Sequence, residues 1–86
     1  MNREEIYKDL NEVFSDIFDD DIEVCDETVS SDIEGWDSLE HINLMMAIEK
    51  KFNIKFTMGE INKFKNVGEM VNAISQKMNS WLLLLA

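Results

Sequence analysis

Asp37-Ser38-Leu39-Glu40-His41-Ile42-Asn43-Leu44-Met45-Met46-Ala47-Ile48-Glu49-Lys50-Lys51-Phe52 is the stretch that decides the fold of this chain. An Asp at an N-cap accepts from a free backbone N–H, and a Glu three residues on answers it, so Asp37 and Glu40 mark a helix start. The helix predicted behind them runs to Phe52. Its apolar residues Leu39, Ile42, Leu44, Met45, Met46, Ile48 and Phe52 spread over roughly 220° of the wheel, wider than the ~100° stripe one core-facing side needs. Part of that face is surplus to the core.

Upstream, Ile6, Leu10, Val13, Phe14, Ile17 and Phe18 recur at helical spacing, with Glu4, Glu5, Lys8, Asp9, Glu12 and Asp16 outside the stripe. This predicts a first helix over residues 2–18. From Asp19 to Trp36 the periodicity stops, and a loop of that length in a small domain implies a function or its own apolar pegs, here Ile22, Val24, Val29 and Ile33. Downstream, residues 57–64 predict a short third helix. Asn66 and Glu69 repeat the capping pattern ahead of Val67, Met70, Val71, Ile74 and Met78. The fold class expected is all-α: a small antiparallel four-helix bundle, three main helices plus a short third one, with a long loop between helices one and two.

Eighty-six residues, 45% of them apolar, suffice for one core, and the chain divides into a domain over residues 1–79 and an apolar tail over 80–86. The tail, Trp81-Leu82-Leu83-Leu84-Leu85-Ala86, has four open readings: an extension of helix four, a cover for an apolar groove, a self-association surface, or an artefact of expression. Residues 1–43 hold 15 acidic and 2 basic side chains, residues 44–86 hold 3 and 6, and the total is −10. Such a surface repels nucleic-acid backbones and anionic lipid. The single cysteine, Cys25, makes no internal disulfide, the first residues are charged where a signal peptide is apolar, and no run reaches the ~18 apolar residues of a membrane span. A cytoplasmic protein is expected.

Ser38 stands on the first turn of an amphipathic helix, just after Gly35 lets the loop turn sharply. Its hydroxyl is expected at the surface, at a helix end that favours an anion. The same residues also read as an ordinary first-turn serine.

The Asp37-Ser38-Leu39 triplet after a long acidic loop, followed by Glu40-His41-Ile42-Asn43-Leu44 and an Ala-Ile-Glu segment ending in Phe52, resembles the acyl carrier protein family over residues 2–78. The resemblance implies that Ser38 carries 4′-phosphopantetheine, whose thiol holds acyl or related groups as thioesters, and that the chain catalyses nothing. It implies a phosphopantetheinyl transferase using coenzyme A and magnesium, and acyl-loading and acyl-using enzymes that meet Leu39, Ile42 and Met46 beside the charges of Asp37 and Glu40. A carrier of this kind calls for an exposed attachment point, a core able to admit apolar cargo and a weakly read surface. Asp37 and Glu40 would repel the phosphodiester, so a mobile arm is expected. Asn43 and Lys50 stand where housekeeping fatty-acid carriers are acidic, and Trp36 where they have a small residue. The chain is thus at least as similar to carriers of polyketide, modified-sugar or aminoacyl-transfer pathways.

Rival readings are weaker. A Ser38–His41 catalytic pair lacks a nucleophile elbow and recognisable oxyanion donors, and His41 reads as a surface residue. A calcium loop begun at Asp19 would have Val24 in place of the turn glycine and Ser30 in place of the bidentate Glu, so no metal site is expected. Cys25, beside Asp26 and Glu27, reads as unreactive. An unmodified acidic helical adaptor, binding a protein partner through helix two, is the remaining alternative.

Overall fold

The computed structural model describes the backbone of residues 2–85 and the side chains of residues 2–79. Four α-helices make up the regular structure, and no strand occurs among the described residues: α1 (Arg3–Phe18), α2 (Ser38–Phe52), α3 (Met58–Ile61) and α4 (Val67–Leu85). Asn2 caps α1 reciprocally: its Oδ1 accepts from Glu5 N at 2.9 Å, and Glu5 Oε1 accepts from Asn2 N at 3.1 Å. Asp19 and Asn53, in the left-handed region at φ 51° and 56°, end α1 and α2. Lys50 and Lys51 close α2 on the side its dipole favours, and Lys51 Nζ reaches Glu12 on α1 at 3.0 Å.

Ile6, Leu10, Val13 and Phe14 of α1 meet Leu44, Met45, Ile48 and Phe52 of α2 and Val67, Met70, Val71 and Ile74 of α4 in one core. Ile17, Phe18 and Met78 are only partly buried against it. α3 is shorter than the predicted 57–64 segment. Thr57 is its cap, in a reciprocal pair with Glu60, and the chain leaves the helix at Asn62 so that Phe64 can pack edge-on against Phe56 with ring centroids 5.6 Å apart. The helix of the tail continues α4 to Leu85, while the side chains that would decide between groove cover and self-association lie outside the described residues.

The 19–36 segment is fastened rather than loose. Ser15 Oγ accepts from Ile22 N at 3.0 Å and donates to Ile22 O at 3.3 Å, and Asn11 Oδ1 accepts from Val24 N at 2.8 Å. Tyr7 Oη and Arg3 both donate to the Asp26 carboxylate, Arg3 at 2.7 Å. The spacing follows from geometry: four helical residues rise ~6 Å and two extended residues ~6.6 Å, so a stripe at 15, 11 and 7 keeps pace with the backbone of residues 22 and 24 and the carboxylate of Asp26. The loop then caps α4. Val67 N donates to Thr28 O at 2.9 Å, Gly68 N to Asp26 O at 3.0 Å, and Glu69 N to Asn66 Oδ1 at 2.9 Å, which satisfies three donors a helix start leaves free. A Cβ on Gly68 would lie 3.1 Å from Asp26 O, so any larger residue would push the loop back by a few tenths of an ångström. Of the four expected pegs, Val24 is buried, Ile22 and Ile33 pack against the core, and Val29 is half-buried outside the core cluster. A single 3-10 turn at Ser30–Asp32 breaks what was expected to be plain loop.

Asp26 therefore links α1, the loop and α4. The Tyr7 hydroxyl, and next the Arg3 guanidinium, hold its carboxyl below the ordinary 3.8. A depressed carboxylate contributes stability that is complete above its unfolded value and is lost as pH falls through its folded value. Glu60, lowered by the Thr57 N–H and then by Lys77, acts in the same direction. The urea midpoint is expected to drop below about pH 4, and Asp26→Asn to flatten that part of the profile. Superimposable profiles for the two chains would contradict the linkage.

Candidate functional site

Gly35, at φ 89° in the left-handed region, turns the chain so that Trp36 folds back onto the core while Asp37 begins α2. Asp37 Oδ1 accepts from Glu40 N at 2.8 Å, as the capping reading predicts. The reciprocal half is absent: Glu40 Oε1 instead accepts from Asn43 Nδ2 at 3.1 Å, one turn along the same helix. Ser38 follows as the first residue of α2 and is exposed. It lies on the wall of an open cleft of about 470 Å³, whose sides come from the loop, the start of α2 and the segment between α3 and α4. Lys65, Asn62 and Asn66 give that cleft a polar side, and Ile42, Phe64 and Met70 an apolar one. Lys65 is a cation on the same cleft as Ser38, opposing the repulsion expected from Asp37 and Glu40.

The wide apolar arc of α2 divides between core and surface. Leu39 is 70% and Met46 62% exposed, whereas Leu44, Met45 and Ile48 have no exposure at all. Ile42 lies between the two sets, half-buried and packed against the core. Asp37 is exposed and Glu40 half-buried. Met58 on α3, which was not singled out in the sequence, is 65% exposed and is the third large apolar side chain in that state among the described residues.

His41 is not the surface residue expected. Its Nδ1 accepts from Trp36 Nε1 at 3.0 Å and its Nε2 faces Ile61 O at 2.8 Å. An indole N–H only donates and a carbonyl only accepts, so these neighbours set the tautomer: Nδ1 bare, Nε2 carrying the hydrogen. Trp36 stacks on His41 at 5.9 Å and 21°, and meets Phe14 edge-on at 5.3 Å. The residue that departs from the family's small one is thus a lid over Phe14, pinned through His41 to α3. Because both ring nitrogens of His41 are engaged, neither is free to take a proton from Ser38. Cys25 is exposed and shares a turn with Thr28, whose Oγ1 accepts from Cys25 N at 2.9 Å. Among the described residues no three His, Cys, Asp or Glu side chains are grouped to hold a metal ion, and no helix is long and apolar enough to cross a membrane.

An all-helical bundle presenting a serine at a helix start beside an open cleft has the form of a carrier domain. The sequence profile of the phosphopantetheine attachment site matches residues 8–74. An acyl carrier protein of Petrotoga mobilis is 32% identical over 81 residues, 92% of this chain and 94% of that protein. One of Cyanidium caldarium is 34% identical over 82 residues, 93% and 94% of the two chains. The solution NMR structure of the holo acyl carrier protein from Geobacter metallireducens superposes with a TM-score of 0.83 at 40% identity, covering 90% of each chain. The chain belongs to the acyl carrier protein family, with 4′-phosphopantetheine as its prosthetic group.

Proposed function

We propose that Ser38 is the attachment residue and that the domain over residues 1–79 presents acyl or related thioesters to several enzymes without catalysing any step. The observation that carries this reading is the exposed Ser38 at the start of α2, on the wall of the open cleft. Loading forms a bond from Ser38 Oγ to the phosphorus of coenzyme A nearest the pantetheine, breaks the phosphoanhydride with release of adenosine 3′,5′-bisphosphate, and passes the hydroxyl proton to a base of the transferase. The group supplies a thiol for thioester exchange. The chain supplies position: Asp37 fixes the helix start through Glu40 N, and Trp36 anchors the preceding turn. The phosphopantetheinyl transferase and the acyl-loading and acyl-using enzymes are the proposed partners, in the cytoplasm. The acidic half of the chain would steer basic partner surfaces toward Ser38.

Coexpression with a phosphopantetheinyl transferase, followed by intact mass, tests the reading. One pantetheine addition is expected, and an unmodified chain would favour the helical adaptor. Leu39, Ile42 and Met46 are the proposed apolar contacts, flanked by Asp37 and Glu40. Leu39→Asp is expected to lower the kcat/KM of loading by about tenfold, since an exposed apolar anchor contributes to docking and little to folding. Loading kinetics at equal urea stability check it, and an unchanged kcat/KM would remove Leu39 from the contact surface.

A further inference from the structure

We infer that His41 is a positioning residue for loading: in its neutral form it holds Trp36, and through Trp36 the turn that presents Ser38. The inference rests on Ser38 as the attachment point. Ser38 stands in the chain between the two partners, and the bond of 3.0 Å from Trp36 Nε1 to His41 Nδ1 closes the backbone around it. Asp37 fixes the helix side of Ser38 by accepting from Glu40 N. On the loop side, Gly35 is in the left-handed region, and the backbone bonds from Trp36 N to Ile33 O at 3.3 Å and from Asp37 N to Gly35 O at 3.0 Å reach only near neighbours. The turn is joined to the bundle by the Trp36 ring, which packs against Phe14 at 5.3 Å and Phe18 at 6.0 Å. Packing leaves a flat ring free to slide; a single N–H donor aimed at Nδ1 selects one placement.

That bond has one workable protonation state. Nε2 carries the hydrogen given to Ile61 O at 2.8 Å, so the lone pair of the neutral imidazole lies on Nδ1, where Trp36 uses it. A second proton sets N–H against N–H. The Ile61 bond survives this and the Trp36 bond does not, so protonation frees the turn while His41 stays tied to α3. The charged groups around the pair have other partners or offset one another. Asp37 and Lys65, of opposite sign, line the same cleft, Glu40 is taken by Asn43, and Glu60 by Thr57 N at 2.8 Å and Lys77 at 2.9 Å. From α1 and α4 the neighbours are Phe14, Phe18 and Met70. Freeing the turn lowers the fraction of chains that offer Ser38 in the geometry a transferase binds, which raises KM for the carrier and leaves kcat unchanged. One net hydrogen bond corresponds to about three- to tenfold.

The test follows pantetheine transfer from coenzyme A to the intact chain and three variants, with one transferase at about pH 8. Intact mass of the unaltered chain comes first; no addition there counts against Ser38 and is read separately. His41→Asn places Oδ1 where Nδ1 stands, keeping the acceptor for Trp36 and giving up Ile61. His41→Gln reaches toward Ile61 O and gives up that acceptor, and Trp36→Phe keeps a ring on Phe14 and gives up the donor. His41→Asn is expected within about twofold of the unaltered chain, and the other two with KM raised about three- to tenfold at equal kcat. His41→Asn falling together with His41→Gln, or no variant changing, would overturn the inference. The Asn acceptor does not titrate, so the kcat/KM ratio of the unaltered chain to His41→Asn should fall about three- to tenfold as 15N NMR shows the His41 ring gaining its second proton at lower pH. The transferase's own pH dependence cancels in that ratio, and a constant ratio across the protonation would equally overturn the inference. Should circular dichroism show that the His41 variants do not fold, Trp36→Phe decides: a raised KM supports the positioning role and an unchanged one removes it.

Discussion

Ser38→Ala is expected to abolish loading by a phosphopantetheinyl transferase, with no pantetheine addition detected by intact mass when the unaltered chain is fully converted. The expectation is absolute because the missing oxygen is the atom that forms the phosphodiester. The variant should fold as before. Ser38 is an exposed first-turn residue, alanine is at least as good a helix former, and exposed substitutions of this kind move stability by about 0.5 kcal/mol or less. Loss of loading together with loss of helix would point to a structural serine, so circular dichroism is measured on the same sample.

Phe14→Ala is expected to have the largest effect on folding. Phe14 has no exposure and its ring meets both Phe18, at 5.9 Å, and the Trp36 lid, at 5.3 Å. Truncating a buried Phe costs about 3–5 kcal/mol through lost transfer energy and the cavity left behind. A chain of this length has roughly 4–13 kcal/mol at its disposal, at about 0.05–0.15 kcal/mol per residue, and the charge of −10 draws it toward the lower end. The urea midpoint should therefore move most of the way to zero. Because the Trp36 lid rests on Phe14, tryptophan fluorescence, read in a Trp81→Phe background so that Trp36 alone reports, should show opening of the turn before Ser38 at lower urea than helix loss. Coincident transitions would show that lid and bundle are one cooperative unit.

The three long helices were legible because their buried residues repeat at helical spacing: Ile6, Leu10, Val13 and Phe14 in α1 are four of the six residues of the periodic set. The place of Ser38 as the first residue of α2 was legible because an Asp cap and a following apolar arc fix where a helix begins. What holds the 19–36 segment was not legible. Arg3, Tyr7, Asn11 and Ser15 stand outside the apolar periodicity of α1 and carry no pattern of their own, and only the segment docked alongside them reveals their use. His41 was misjudged for a similar reason. Its partners lie five residues before it and twenty after it, Trp36 and Ile61, and neither separation belongs to a helical pattern. Which apolar residues of the wide α2 arc stay outside was not legible from the wheel, and packing leaves Leu39 and Met46 exposed.

The most direct measurement is fragment-ion mapping of the loaded chain. Ser30 lines the same cleft, Ser31 and Thr28 are close in sequence, and Cys25 is an exposed thiol, so each is an available acceptor if position does not matter. The account predicts the whole pantetheine mass on Ser38 and none on the others. A label distributed among them, or fixed at a single site other than Ser38, would contradict it.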